Sequence, residues 1–182
     1  MSNQRNKVRI IGGRWRGTKL SVPDRPGLRP SSDRVRETLF NWLMPRLGGA
    51  RVLDLFAGSG ALGFEAASRN AAKVVAVETA KPALEALRAN QAMLGAKNIE
   101  IVWSDALRYL DSTHESFDVV FLDPPFASDF LAVALQKLSR ILKPGARVYA
   151  ECARWPELTG WELVKDGRAG QVCYGLLRQT GA

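Results

Sequence analysis

The sequence predicts an α/β fold, a mostly parallel sheet with helices on both faces, preceded by a short basic β-hairpin. Three observations carry this. From residue 51 onward, apolar strand-like runs alternate with runs of helical periodicity. A glycine-rich turn, "GSGALG" (58–63), links the first of these strands to the first helix. The strands lead to Asp54, Glu78, Asp105 and Asp123, so acids gather at the carboxyl edge of the sheet, where open α/β sheets bind ligands.

The elements follow in order. "KVRIIGGRWRGTKLSV" reads as two short strands, 8–11 and 19–22, around a Gly-rich turn. Pro23, Pro26 and Pro30 make the next segment an extended connection. "SSDRVRETLFNWLMPRL" reads as a helix: Ser32 is a fitting N-cap, Asp33 and Glu37 suit the positive end of the dipole, and Val35, Leu39, Trp42 and Leu43 recur at helical spacing. Pro45 is expected to stop it. "RVLDLF", "KVVAVE", "IEIVWS", "FDVVFLD" and "ARVYAEC" are strands. Between them lie the helices "GALGFEAASRN", "KPALEALRANQAML" with Pro82 in its first turn, the short "DALRYL", and "SDFLAVALQKLSRIL". The tail reads as two strands joined by "DGRAG", an antiparallel hairpin closing one edge. The organisation is thus a basic arm and connection over 1–30 and one α/β domain over 31–182.

Charge placement narrows the partners. Residues 1–50 carry 11 Lys and Arg against 3 Asp and Glu, and residues 51–182 carry 15 against 15, so the whole net charge of +8 sits in the first quarter. A neutral body with a basic arm is the footprint of a polyanion binder. Arg14, Trp15, Arg16 and Lys19 interleave with glycines, offering cations and a stacking ring together. Cys152 and Cys173 have no metal-ligand spacing, and His114 is the single histidine, so no metal site is expected. With no apolar leader or membrane-length run, the expectation is a cytoplasmic monomer without membrane contact.

The candidate chemistry lies at the acid-bearing edge. Glycines at 58, 60 and 63 allow close backbone approach and aim a helix N-terminus at a ligand, and Glu78 lies where an acid takes ribose hydroxyls. A dinucleotide enzyme would use the same pair. Asp54 argues against one, because it would repel a pyrophosphate at that loop. S-adenosylmethionine, with its sulfonium and ammonium, fits better, and Asp105 could take the adenine amino group. Asp54 satisfied by loop N–H groups is the plainer alternative. In "DPPF" (123–126), two prolines fix the chain behind Asp123. A solvated strand-end aspartate is again the plain reading. The chemical one is a carboxylate and the Pro124 carbonyl accepting both N–H bonds of a nucleobase amine, with Phe126 stacking on a flipped base.

"DLFAGSGALGFEAASR", Glu78 and "DPPF" together resemble class I methyltransferases acting on exocyclic amines. "RIIGGRWRG", "LRPSSDRVRETLFNWL" and "AGQVCYGLL" narrow the resemblance to the RsmD family of bacterial small-subunit ribosomal RNA guanine methyltransferases, over nearly the whole chain. The resemblance implies a Rossmann-like seven-stranded sheet of order 3-2-1-4-5-7-6. It also implies methyl transfer from S-adenosylmethionine, leaving S-adenosylhomocysteine, to the 2-amino group of a guanine in 16S rRNA within the small subunit. Carried over, Asp54, Phe56, Gly58, Gly60, Glu78, Asp105 and Ala106 hold the cofactor; Asp123, Pro124, Pro125 and Phe126 form the catalytic loop. Arg9, Arg14, Trp15, Arg16, Lys19, Arg29, Arg34 and Arg36 meet the RNA. A DNA amino-methyltransferase and a non-catalytic RNA-binding module are the rival readings.

Overall fold

The computed structural model describes residues 7–23, 31–125 and 129–181. Strands Lys7–Arg9 (β1) and Lys19–Ser21 (β2) pair antiparallel as a separate hairpin, and helix Asp33–Leu47 (α1) follows. The main sheet is built from Arg51–Asp54 (β3), Lys73–Glu78 (β4), Ile99–Trp103 (β5), Phe117–Leu122 (β6), Leu142–Cys152 (β7), Trp161–Ala169 (β8) and Val172–Gln179 (β9). Helices Ala61–Ser68 (α2), Lys81–Leu94 (α3), Ala106–Ser112 (α4) and Phe130–Leu138 (α5) connect the parallel strands. The sheet order is β5-β4-β3-β6-β7-β9-β8, which is 3-2-1-4-5-7-6 counted within this sheet. β5 to β7 run parallel, and β9 is antiparallel to both its neighbours. The order reverses at β3, which lies between β4 and β6, so the ligand crevice opens where β3 and β6 end.

The central strands are apolar on both sides because helices cover both faces. Successive residues point oppositely, so Val52, Val74, Val119 and Phe121 enter one apolar layer, and Leu53, Val75, Val120 and Leu122 the other. The first layer contains α1, α2 and the hairpin residues Ile10 and Leu20, which are 1% and 0% exposed. The hairpin therefore shares the core of the domain rather than extending as a free arm.

Helix α2 is buried at every position, because the sheet lies on one side and the hairpin with α1 on the other. Its one charged residue, Glu65, is consequently sealed from water and must be fully paired. Its carboxylate accepts the backbone N–H of Ile11 and Gly12, both at 2.8 Å, and the Arg69 Nε–H at 2.8 Å, with the Arg36 guanidinium 3.5 Å away. Truncating it would strand a buried guanidinium and two amide donors. We expect Glu65→Ala to lower unfolding free energy by about 3–5 kcal/mol in urea titrations; a loss below about 1 kcal/mol would show that solvent enters the node freely.

Two sequence expectations are corrected. Pro45 does not stop α1, which runs to Leu47. The bond lost is to the carbonyl of solvent-facing Asn41, while buried Leu43 and Leu47 hold the last turn down. The tail turn is Gly170–Gln171 rather than "DGRAG", since Asp166, Gly167 and Arg168 stay in register with Gly175, Tyr174 and Cys173. Gly167 lets β8 continue because the Tyr174 ring lies where its Cβ would be, 2.5 Å away. Among the described residues no helix is long and apolar enough to cross a membrane.

Candidate active site

The crevice begins at the β3–α2 loop. Leu55 N–H donates to the Phe121 carbonyl and Ala57 N–H to that of Val77, so the loop extends the sheet edge before turning. Gly60, at φ 78°, makes the turn into α2, and a Cβ there would strike Leu87 and Phe64 at 2.6 Å. Gly63 lies in the first turn of α2, where a Cβ would come within 3.0 Å of Asp54 Oδ2 and press it aside. Its N–H donates to Asp54 Oδ2 at 2.9 Å. The plainer alternative for Asp54 is thus half realised: one oxygen is held by the loop helix, while the residue also lines the crevice with Ser31, Phe56, Ala57, Ser59, Ala61, Leu62 and Asp123. Burial raises its carboxyl pKa to about 7, opposed by the Gly63 N–H and reinforced by the charge of Glu78.

Glu78, at the end of β4, closes the loop from the side. Its Oε2 accepts Gly58 N–H at 2.8 Å, and Oε1 accepts Thr79 and Ala80 N–H at 2.9 and 2.8 Å. A carboxylate offers about four lone-pair sites, so three donors leave acceptor capacity for a hydroxyl. Asp105 is exposed and caps α4, its Oδ1 accepting Arg108 N–H at 3.0 Å, and Ala106 is buried behind it. Phe56 packs on Phe130 at 6.0 Å between centroids, tying the loop to the start of α5.

Asp123 follows β6 across the crevice, with Pro124 buried and Pro125 exposed behind it. Phe126 lies outside the described residues. Desolvation, then the charges of Glu151 and Asp54, push the Asp123 pKa well above the usual carboxylate range. Glu151, one place beyond the Leu122–Ala150 pair on β7, is a fourth strand-end acid that the sequence reading did not single out. It is 6% exposed and accepts from Tyr149 OH at 2.7 Å and from Ser31 Oγ. Among the described residues no Lys or Arg pairs with Asp54, Asp123 or Glu151. A crevice lined by acids without a basic partner among the described residues, beside Gly60 where a side chain has no room, fits a cationic ligand carrying ribose hydroxyls. It does not fit a pyrophosphate.

The basic residues divide. Arg9, Arg16, Lys19 and Arg34 have exposed side chains without ion pairs among the described residues, and Arg9 faces Lys19 across the hairpin. Arg14 is exposed but stacks on Trp15 at 4.4 Å and donates to Asn98 Oδ1 at 2.9 Å. Trp15 packs half-buried against the core, so its ring is partly committed, and its backbone N–H donates to Ser68 Oγ. The hairpin tip lies by Ser68, at the end of α2 remote from the crevice. Arg36 is not available to RNA. It is 1% exposed and donates to the Arg9 carbonyl at 2.8 Å, to the Ser31 carbonyl at 3.3 Å and to Asp33 at 2.6 Å. It locks the hairpin to α1. Arg29 lies outside the described residues.

Residues 8–178 match the family described as "Conserved hypothetical protein 95". The chain is similar to "Ribosomal RNA small subunit methyltransferase D" of Escherichia coli (strain K12), 44% identical and covering 95% of this chain and 90% of that one. It is equally similar to the protein of that name from Haemophilus influenzae, 44% identical and covering 96% and 95%. Among solved structures, yhhF from Escherichia coli superposes with a TM-score of 0.87 at 44% identity, covering 95% of this chain and 98% of that one.

Proposed function

Since the chain belongs to the RsmD family, we propose that it methylates ribosomal RNA of the small subunit from S-adenosylmethionine, at the 2-amino group of a guanine. The observation that carries this is the crevice at the strand-order switch, lined by Asp54 and Asp123, neither with an ion-pair partner among the described residues. The cofactor supplies a methyl group activated on positively charged sulfur. Asp54 and the Gly58–Gly63 loop hold its cationic end, Glu78 the ribose, and the Asp105–Ala106 turn the adenine.

The rest of the chemistry belongs to the chain. A guanine amine is a poor nucleophile because its lone pair is delocalised into the ring. Asp123 and the Pro124 carbonyl accept its two N–H bonds and turn the lone pair out of the ring plane. Pro124 and Pro125 hold that carbonyl in place, and Phe126 stacks on the base. Rate comes mostly from orientation, with effective molarities of about 10⁵ M or more available to well-aligned groups. Asp123 must be ionised for this, and positive charge arriving beside Asp54 favours its ionised form.

The exposed cations of the hairpin and Arg34 give the RNA a path toward the crevice. Replacing Arg9, Arg16 and Lys19 by Gln is expected to flatten the salt dependence of RNA binding by about 2–3 units of log K per log salt. An unchanged slope would move the footprint elsewhere. The reading itself is tested by methyl transfer from labelled S-adenosylmethionine to small subunits lacking the modification, beside free 16S rRNA and duplex DNA, with digestion to nucleosides. Label in N2-methylguanosine from subunits is the expected result. Label in DNA alone would keep the chemistry and overturn the substrate. Tight cofactor binding without label anywhere favours the non-catalytic RNA-binding reading.

A further inference from the structure

Ser31 lies in the crevice lining with Asp54 and Asp123, yet no chemistry has been assigned to it. Its hydroxyl donates to Glu151 Oε1. A hydroxyl has one proton, so with that proton committed its oxygen can act toward the crevice only as an acceptor. The commitment is enforced from behind: Tyr149 OH donates to the same oxygen of Glu151 at 2.7 Å, and Glu151 is nearly sealed from water. The Arg36 guanidinium fixes the Ser31 backbone by donating to its carbonyl. Once Asp123 is ionised, as the reaction requires, the crevice lining presents two acceptors, Asp123 and Ser31.

The edge of a nucleobase that carries an amine differs from base to base. Guanine follows its 2-amino donor with a second donor, N1–H. Adenine follows its 6-amino donor with the N1 lone pair, and cytosine follows its 4-amino donor with the N3 lone pair. Two neighbouring acceptors match guanine and set lone pair against lone pair for the other two. Resting on the guanine reading above, we propose that Ser31 recognises the target base, its Oγ accepting the guanine N1–H, with Glu151 and Tyr149 as positioning residues that keep it an acceptor.

The test uses the full chain and small subunits reconstituted with either guanosine or 2-aminopurine riboside at the target position. 2-Aminopurine keeps the 2-amino group but offers a lone pair at N1. The wild-type protein is expected to prefer guanine by about 100-fold or more in kcat/KM. Ser31→Ala should slow guanine methylation roughly ten- to a hundredfold while leaving 2-aminopurine nearly unchanged, so the preference collapses. Glu151→Gln, which conserves shape, should lose part of the preference. S-adenosylhomocysteine affinity should stay near wild type in both, which reports that the crevice is folded. If Ser31→Ala slows both bases alike, or keeps the full preference, the proposal is overturned while guanine methylation stands. If the wild-type protein labels no guanine amino group, the functional reading falls and this assignment with it.

Discussion

Asp123→Ala should abolish methyl transfer, by about 10³-fold or more, while S-adenosylhomocysteine binds nearly as to the wild-type protein. The asymmetry follows from the crevice. Asp123 comes from β6, whereas the loop that would hold the cofactor is built by β3, α2 and β4. Removing Asp123 relieves repulsion among Asp54, Asp123 and Glu151, and leaves the Asp54–Gly63 and Glu78–Gly58 hydrogen bonds of the cofactor side in place. Calorimetry with the product and single-turnover transfer with subunits separate the two. A tenfold or greater loss of product affinity would contradict this division of labour.

Asp54→Asn should do the reverse, costing affinity while raising stability. Burial lifts the folded-state pKa of Asp54 from 3.8 to about 7. An acid whose pKa is raised by folding destabilises the fold wherever the unfolded chain has already ionised. Stability from this group is therefore intact below about pH 4, falls as pH rises toward 7, and is flat above. Asparagine keeps an oxygen for the Gly63 N–H but carries no charge. At pH 8 the variant should be more stable by about 2–4 kcal/mol, or roughly 5–15 °C in Tm, and the gap should close toward pH 4. Cofactor affinity should drop about ten- to a hundredfold. In the wild-type protein that affinity should rise with pH up to about 7 and then level, a dependence the variant lacks. A variant no more stable at pH 8 than at pH 4, relative to wild type, would mean that Asp54 is hydrated in the folded state.

The parts of the site legible in the sequence were those that follow from chain order. Parallel strands must end at one edge, so Asp54, Glu78, Asp105 and Asp123 declare themselves once the alternation is seen. Glu151 obeys the same rule, but it lies one residue inside a strand that runs on to Cys152 without a Gly or Pro signal. Ser31 was not legible. It sits in a proline-rich stretch without periodicity, and its partner Glu151 is 120 positions away. Arg36 shows a signal that was present and outweighed: it precedes Leu39, Phe40 and Leu43 by helical spacings, on the buried stripe of α1. A guanidinium on an apolar stripe needs an internal acid, and Glu65 on a helix otherwise buried all round is that acid. Trp15 divides between its two readings for a similar reason, since a ring beside a docked hairpin covers its own attachment.

The Glu65 node has a further consequence for substrate choice. Through it the hairpin is bonded to α2, and the first turn of α2 is the loop beside Asp54. The basic ridge and the reacting edge therefore cannot swing independently, and their separation is set by one short helix of eight residues, roughly 12 Å long. The molecule behaves as a fixed calliper. Under the proposed function, the expected target is a base held at that spacing from a run of phosphates, as on a folded ribonucleoprotein surface rather than a slack single strand.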